Sequence, residues 1–71
     1  MKLHYYSETD SLYIELKEIP STNSKEISDG LVADFDAAGN IVGLDINNAS
    51  VKLDLKTLEL ESLPTVKTRI A

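Results

Sequence analysis

Asp34, Asp36 and Asp45, together with His4, Asp10 and the tyrosines Tyr5, Tyr6 and Tyr13, are the side chains here whose types and spacing could do chemistry. Asp34-x-Asp36-x-x-Gly39 echoes the opening of a calcium loop, where closely spaced oxygens converge on one hard cation. Such a loop needs further ligands and a bidentate glutamate at its twelfth position, where this chain has Asp45. Both flanks read as strands and not helices, so a hairpin turn is the preferred reading, with Asp34 and Asp36 as the only candidate metal ligands. His4 beside Asp10 or Glu15 would supply a base and an orienting carboxylate, but no nucleophile accompanies them. Asn48-Ala-Ser50 matches the glycosylation sequon, which acts only in a secreted chain. The tyrosines could be binding hot spots, because a tyrosine gives large contact area at low entropic cost. Core or dimer packing accounts for them as well. Convergent polar groups of the kind a reaction requires are missing from this pattern. The expectation is a noncatalytic protein with no catalytic residues, no bound metal and no cofactor.

The elements that must position these residues are two β-hairpins. Leu3 to Ser7 is rich in aromatics and reads as a strand, Ser7-Glu8-Thr9-Asp10 as a polar turn, and Ser11 to Lys17 as a second strand. Glu18 to Ser24 mixes proline with hydroxyl and amide residues and reads as the longest loop. Lys25 to Asp36 contains a third strand, with a bulge or bend around Ser28-Asp29-Gly30, and Asn40 to Asn47 is the fourth. In the turn between them, Gly39 takes the left-handed position of a three-residue loop, so that Asp36 faces Asn40. Phe35 then pairs with Ile41, Asp34 with Val42, Ala33 with Gly43 and Val32 with Leu44. That register puts Asp34 and Asp36 on one face and Asp45 on the other. Asp10, Gly39 and Gly43 are the expected structural turn residues.

In this register apolar side chains fall on both faces. Leu31, Ala33, Phe35 and Ile41 share one, and Val32, Val42, Leu44 and Ile46 the other. In the first hairpin Tyr6, Leu12, Ile14 and Leu16 share a side opposite Leu3, Tyr5 and Tyr13. A sheet with one wet face should alternate cleanly. Helical turns between Ala49 and Thr57 and a fifth strand at Leu58–Leu63 can cover one side. The other calls for a second copy, with Tyr5, Tyr13, Leu31 and Phe35 as its interface. The fold class is therefore mainly β, an antiparallel meander of two consecutive hairpins, in one domain over residues 1–63, with 64–71 as a flexible tail.

Length and charge narrow the function further. A chain of 71 residues buries only about 60% of its unfolded surface, and domains of this size commonly lean on disulfides, metals or partner subunits. With no cysteine and one histidine, disulfides and multi-imidazole or thiolate metal sites within one chain are ruled out, which leaves self-association. Seven basic against twelve acidic residues, a net charge of −5, give no basic stripe for nucleic acid. The opening Met1-Lys-Leu-His-Tyr-Tyr6 is not a signal peptide, and no run approaches the ~20 apolar residues of a membrane helix. A cytoplasmic homodimer without direct nucleic-acid or membrane contact is expected, and the acidic surface also suits a small basic protein partner.

Two stretches carry a family resemblance. Tyr6-Ser-Glu-Thr-Asp10-Ser-Leu12-Tyr13-Ile14 resembles the pattern Tyr-Asp-x-x-x-Asp-x-Leu-Tyr-Ile, and Asp34-x-Asp-x-x-Gly39-x-Ile-Val-Gly43-Leu-Asp45-Ile46, running on to Ala49-Ser50, resembles a second signature. Both characterise the small bacterial and archaeal proteins called domain of unknown function 2283. The likeness covers roughly residues 3 to 50. Ser7 replaces the usual aspartate after the tyrosine, and Asp45 stands where glutamate is common. The resemblance implies a small β-rich domain with no established activity, in a family often suggested to act as antitoxin-like partners of small toxins. A self-associating protein-interaction module is thus the leading expectation, antitoxin-like neutralisation of a basic toxin the alternative, and a metal-dependent enzyme or cation-binding domain the remote one.

Overall fold

The computed structural model describes residues 1–64. Five strands, β1 (Lys2–Tyr6), β2 (Ser11–Glu15), β3 (Asn23–Ser28), β4 (Leu31–Phe35) and β5 (Ile41–Asn47), precede one short helix, α1 (Ala49–Lys52). All pairings are antiparallel, in one sheet of order β1-β2-β5-β4-β3. The mainly-β antiparallel architecture is the expected one. Its connections differ in detail, because the third strand anticipated over Lys25 to Asp36 is itself a hairpin, folded back at Asp29-Gly30. Strands β3, β4 and β5 therefore form a meander, and the β1–β2 hairpin docks on the free side of β5. Residues 58–63 form no strand. The anticipated tail lies largely outside the described residues.

The Asp36–Asn40 turn follows the sequence closely. Phe35 pairs with Ile41, the Asp36 amide donates to the Asn40 carbonyl at 2.9 Å, and Gly39 has φ of 86°. Open space surrounds the position a Gly39 side chain would take, so any cost of substitution there is conformational. Changing Gly39 to valine should lower stability by about 1–2 kcal/mol in urea melts, since a β-branched residue fits the left-handed region badly.

One residue beyond this turn the expected register fails. Ala33 faces Leu44 and Asp34 faces Gly43, so Val42 is an extra residue between two ladder pairs, a β-bulge. Its carbonyl is not wasted, for it accepts the amides of Leu16 at 2.9 Å and Lys17 at 3.3 Å. A one-residue shift moves every later side chain to the opposite face. Leu44 and Ile46 thereby join Leu31 and Ala33 instead of opposing them. The first hairpin is shifted by one as well, since Leu3 faces Ile14, Tyr5 faces Leu12, His4 faces Tyr13 and Tyr6 faces Ser11.

These corrections sort the sheet. Cross-strand pairs carry Leu3, Tyr5, Leu12, Ile14, Leu31, Ala33, Leu44 and Ile46 onto one face. His4, Tyr6, Ser11, Tyr13, Glu15, Ser24, Glu26, Asp34, Asp45 and Asn47 lie with Val32 and Gly43 on the other. The two-faced apolar sheet expected from the sequence is thus an ordinary amphipathic one. The core is small: Leu12, Ile46 and Ala49 form its buried cluster, with Ile14 and Leu31 packed against it, and Ala33 and Val42 are buried elsewhere in the sheet. Helix α1 supplies the cover through Ala49.

Candidate functional site

Two polar constellations stand out, and each joins segments distant in sequence. The first centres on Asp10, which ends the β1–β2 turn with φ of 51°. Its carboxylate accepts the Tyr5 hydroxyl at 2.7 Å, the Ser50 hydroxyl at 2.7 Å and the Ser50 amide at 3.1 Å, while its carbonyl accepts the Ala49 amide at 2.9 Å. Orphan amides at a helix start usually find their acceptor in the preceding side chain. Here Asn48 occupies the N-cap position but makes no side-chain capping bond. Asp10 does that work from forty residues away. Asp10 lies in the β1–β2 turn and is also the clasp that fastens α1 over the core.

The Ser50 and Tyr5 hydroxyls stabilise the ionised form and hold the Asp10 carboxyl below its ordinary value, while the same bond raises Tyr5. A folded-state pKa below the unfolded one stabilises above the unfolded pKa, and the benefit is lost as pH falls through the folded one. The Asp10→Asn variant should therefore show a flatter loss of stability below pH 4 than the parent in acid-titrated urea melts. Parallel acid limbs would count against the clasp.

The second constellation lies on the polar face. Tyr13 donates its hydroxyl to Asp34 Oδ2 at 2.8 Å, and Ser24 donates to Asp34 Oδ1 at 2.6 Å, tying β2, β4 and β3 together across β5. The reach is made possible by Gly43, over which the Tyr13 ring lies: a side chain at position 43 would come within 2.7 Å of Tyr13 Cζ. Gly43 is consequently a packing residue within β5 and not the turn residue that its type suggests. Bonding to the Asp34 carboxylate, with some burial, pushes the Tyr13 hydroxyl up to about 12.

The two candidate metal ligands, Asp34 and Asp36, are engaged by the protein itself. Asp34 serves two hydroxyls, and the Asp36 carboxylate accepts the amides of Ala38 at 3.0 Å and Asn40 at 2.9 Å, which lowers its pKa. Because of the Val42 bulge, Asp45 shares the face of Asp34 instead of opposing it, and it faces Val32 and Tyr13. Among the described residues no group of three His, Cys, Asp or Glu side chains could hold a metal ion. Melting temperatures in calcium and in EDTA should coincide, and a calcium-dependent gain abolished by Asp34→Asn with Asp36→Asn would contradict this reading.

The remaining residues are dispersed. His4 sits exposed on the edge strand opposite Tyr13, and the Asp10 carboxylate is engaged by Tyr5 and Ser50. The four residues expected to form one interface are divided, with Tyr5 and Leu31 on the apolar face and Tyr13 on the polar one. Depressions beside the first turn, lined by Tyr5, Tyr6 and Ser7 to Thr9, and by Tyr6, Ser11, Tyr13 and Asp45, are open to solvent. Sequence reasoning missed the role of Ser50 and named Gly43 for a turn instead of for the close approach of the Tyr13 ring. Both stood within the quoted signature, whose far end at Ala49-Ser50 was the available signal.

Fold and site define a small open-sheet protein whose special residues are spent on holding the sheet together. Residues 2–50 match the sequence profile of the family described as protein of unknown function (DUF2283), and the chain belongs to that family. The matched segment ends at Ser50, the residue that Asp10 clasps. No curated protein and no solved structure matches the chain. Among the described residues no helix is long and apolar enough to cross a membrane.

Proposed function

We propose that this protein is a noncatalytic interaction module that works as a self-associated species, built through its sheet and offering an acidic surface to another protein. The observation that carries the reading is the incompleteness of the core. Among the described residues no large side chain is fully buried, while Leu3 and Tyr5 on the apolar face are 47% and 48% exposed. Leu53, Leu55, Leu58, Leu60 and Leu63 add further exposed apolar surface. Apolar surface of this kind, left open by the described residues, marks an interaction site. A cytoplasmic setting fits a cysteine-free acidic chain.

Light scattering of the parent and of Leu3→Asp tests it. The parent should have twice the chain mass of 7.8 kDa, and the variant, altered at an exposed position, should remain folded with a lower mass. Equal masses would contradict the reading. The acidic charge of −5 favours a second reading, in which the other protein is a small basic toxin. Salt-sensitive co-elution with the product of the adjacent gene would support it, and a neighbour without excess basic charge would remove its basis.

A further inference from the structure

Resting on the self-association reading, we propose that a second copy of this chain adds to the sheet along β1, antiparallel, about a two-fold axis passing beside His4. Among the described residues the sheet has two edges, β1 and β3, and they differ in kind. Strand β3 slips register between Glu26 and Ser28, and it carries Lys25 and Glu26 in adjacent positions. Bulges and charges are the devices that keep a sheet edge from pairing. Strand β1 has neither glycine, proline nor bulge, pairs with β2 in unbroken register along all five residues and is exposed throughout; its one charge, Lys2, stands at its end and pairs with Glu18 of the same chain at 2.9 Å. An open edge of this type is a template for another strand.

Side-chain parity then selects the register. Residues directly opposite in an antiparallel pair share a face. If the two apolar faces are to lie on the same side of a continuous sheet, each β1 residue must face one of the same parity. Only pairing centred on His4 does this while engaging the whole strand: Leu3 meets Tyr5 of the second copy, Lys2 meets Tyr6, and His4 meets His4. The half-exposed Leu3 and Tyr5 then cover one another across the axis, in continuity with Ile14 and Leu12, which they already face within the chain. The arrangement is isologous and closed, and it leaves only the blunted β3 edges outermost.

A single cysteine reads this geometry, because the chain has none of its own. Directly opposed residues in an antiparallel pair have Cα atoms about 4.5–5.5 Å apart, within the span of a disulfide. Under mild oxidation His4→Cys should form a covalent dimer, while Glu26→Cys on the other edge should remain monomeric on a non-reducing gel. As a check independent of cysteine, His4→Lys and His4→Glu should each associate up to about fivefold more weakly than the parent, and a mixture of the two should recover the parent's affinity. Absence of the cross-link, or a mixture no tighter than its components, overturns the β1 pairing. If the parent is still dimeric in either case, self-association stands by another surface. Preferential cross-linking through position 26 overturns the choice of edge, and a parent that is monomeric at every concentration overturns both readings.

Discussion

Replacing Gly43 by alanine should lower stability by about 1–3 kcal/mol, although alanine is the smallest side chain that can be added. The reason is the Tyr13 ring. A methyl group on position 43 would overlap the Tyr13 hydroxyl and lie 2.7 Å from Cζ and 3.3 Å from Cε1. The ring can escape only by rotating away, and rotation breaks its bond to Asp34 at 2.8 Å. Two observations separate this mechanism from a general intolerance of strand substitutions. In a Tyr13→Val background the cost of Gly43→Ala should shrink, a coupling that a double-mutant cycle measures. The high-pH tyrosinate titration should also change. Tyr13 is raised to about 12 in the folded protein, so its stabilisation is complete below its ordinary value of 10 and lost as pH rises through 12. Gly43→Ala should return that titration toward ordinary tyrosine. An additive cycle with an unmoved titration would mean that the ring does not depend on Gly43.

The second large effect is expected at Leu12. It is 6% exposed, faces Ile46 across the sheet and packs with Ile46 and Ala49 in the only buried cluster joining sheet and helix among the described residues. Truncation to alanine should cost about 2–5 kcal/mol, the lost transfer energy plus a cavity. A domain of this length has roughly 4–11 kcal/mol in total at 0.05–0.15 kcal/mol per residue. Leu12→Ala should therefore come close to unfolding the chain at low concentration. Ile41→Ala, at a position 44% exposed, should cost well under half as much. On the proposed self-association, a second subunit would bind only the folded state, and the Leu12→Ala melting temperature should rise with protein concentration. Equal costs at the two positions would show that the core lies elsewhere.

How far the sequence discloses this architecture depends on whether a signal is local. The Asp36–Asn40 turn is written in adjacent residues, and its glycine, its flanking pair and its amide bonds follow from them. Asp29-Gly30 is as local, and an Asp-Gly pair between apolar runs is a strong hairpin signal. Read as a bend, it cost one strand of the count. Val42 is different. A β-branched residue in a strand gives no sign of being surplus, and its acceptance of the Leu16 and Lys17 amides is set by chain arriving from β2. Missing that one residue reversed the faces of β5, made the sheet look apolar on both sides and moved Asp45 away from Asp34. The Asp10 clasp is equally nonlocal: the short polar turn was legible, but not that its carboxylate serves α1. The alternating leucines of 58–63 show only which side chains would share a face, not whether a strand edge is within reach. Self-association was expected from a two-faced sheet. It rests now on a different footing, a one-faced sheet whose apolar side is left half open at β1.

That footing is tested most directly by sedimentation velocity of the unaltered protein over a dilution series from high micromolar to nanomolar. The account predicts a concentrated species of twice the 7.8 kDa chain mass, giving way to monomer on dilution. A well-folded species of 7.8 kDa at every concentration would contradict it.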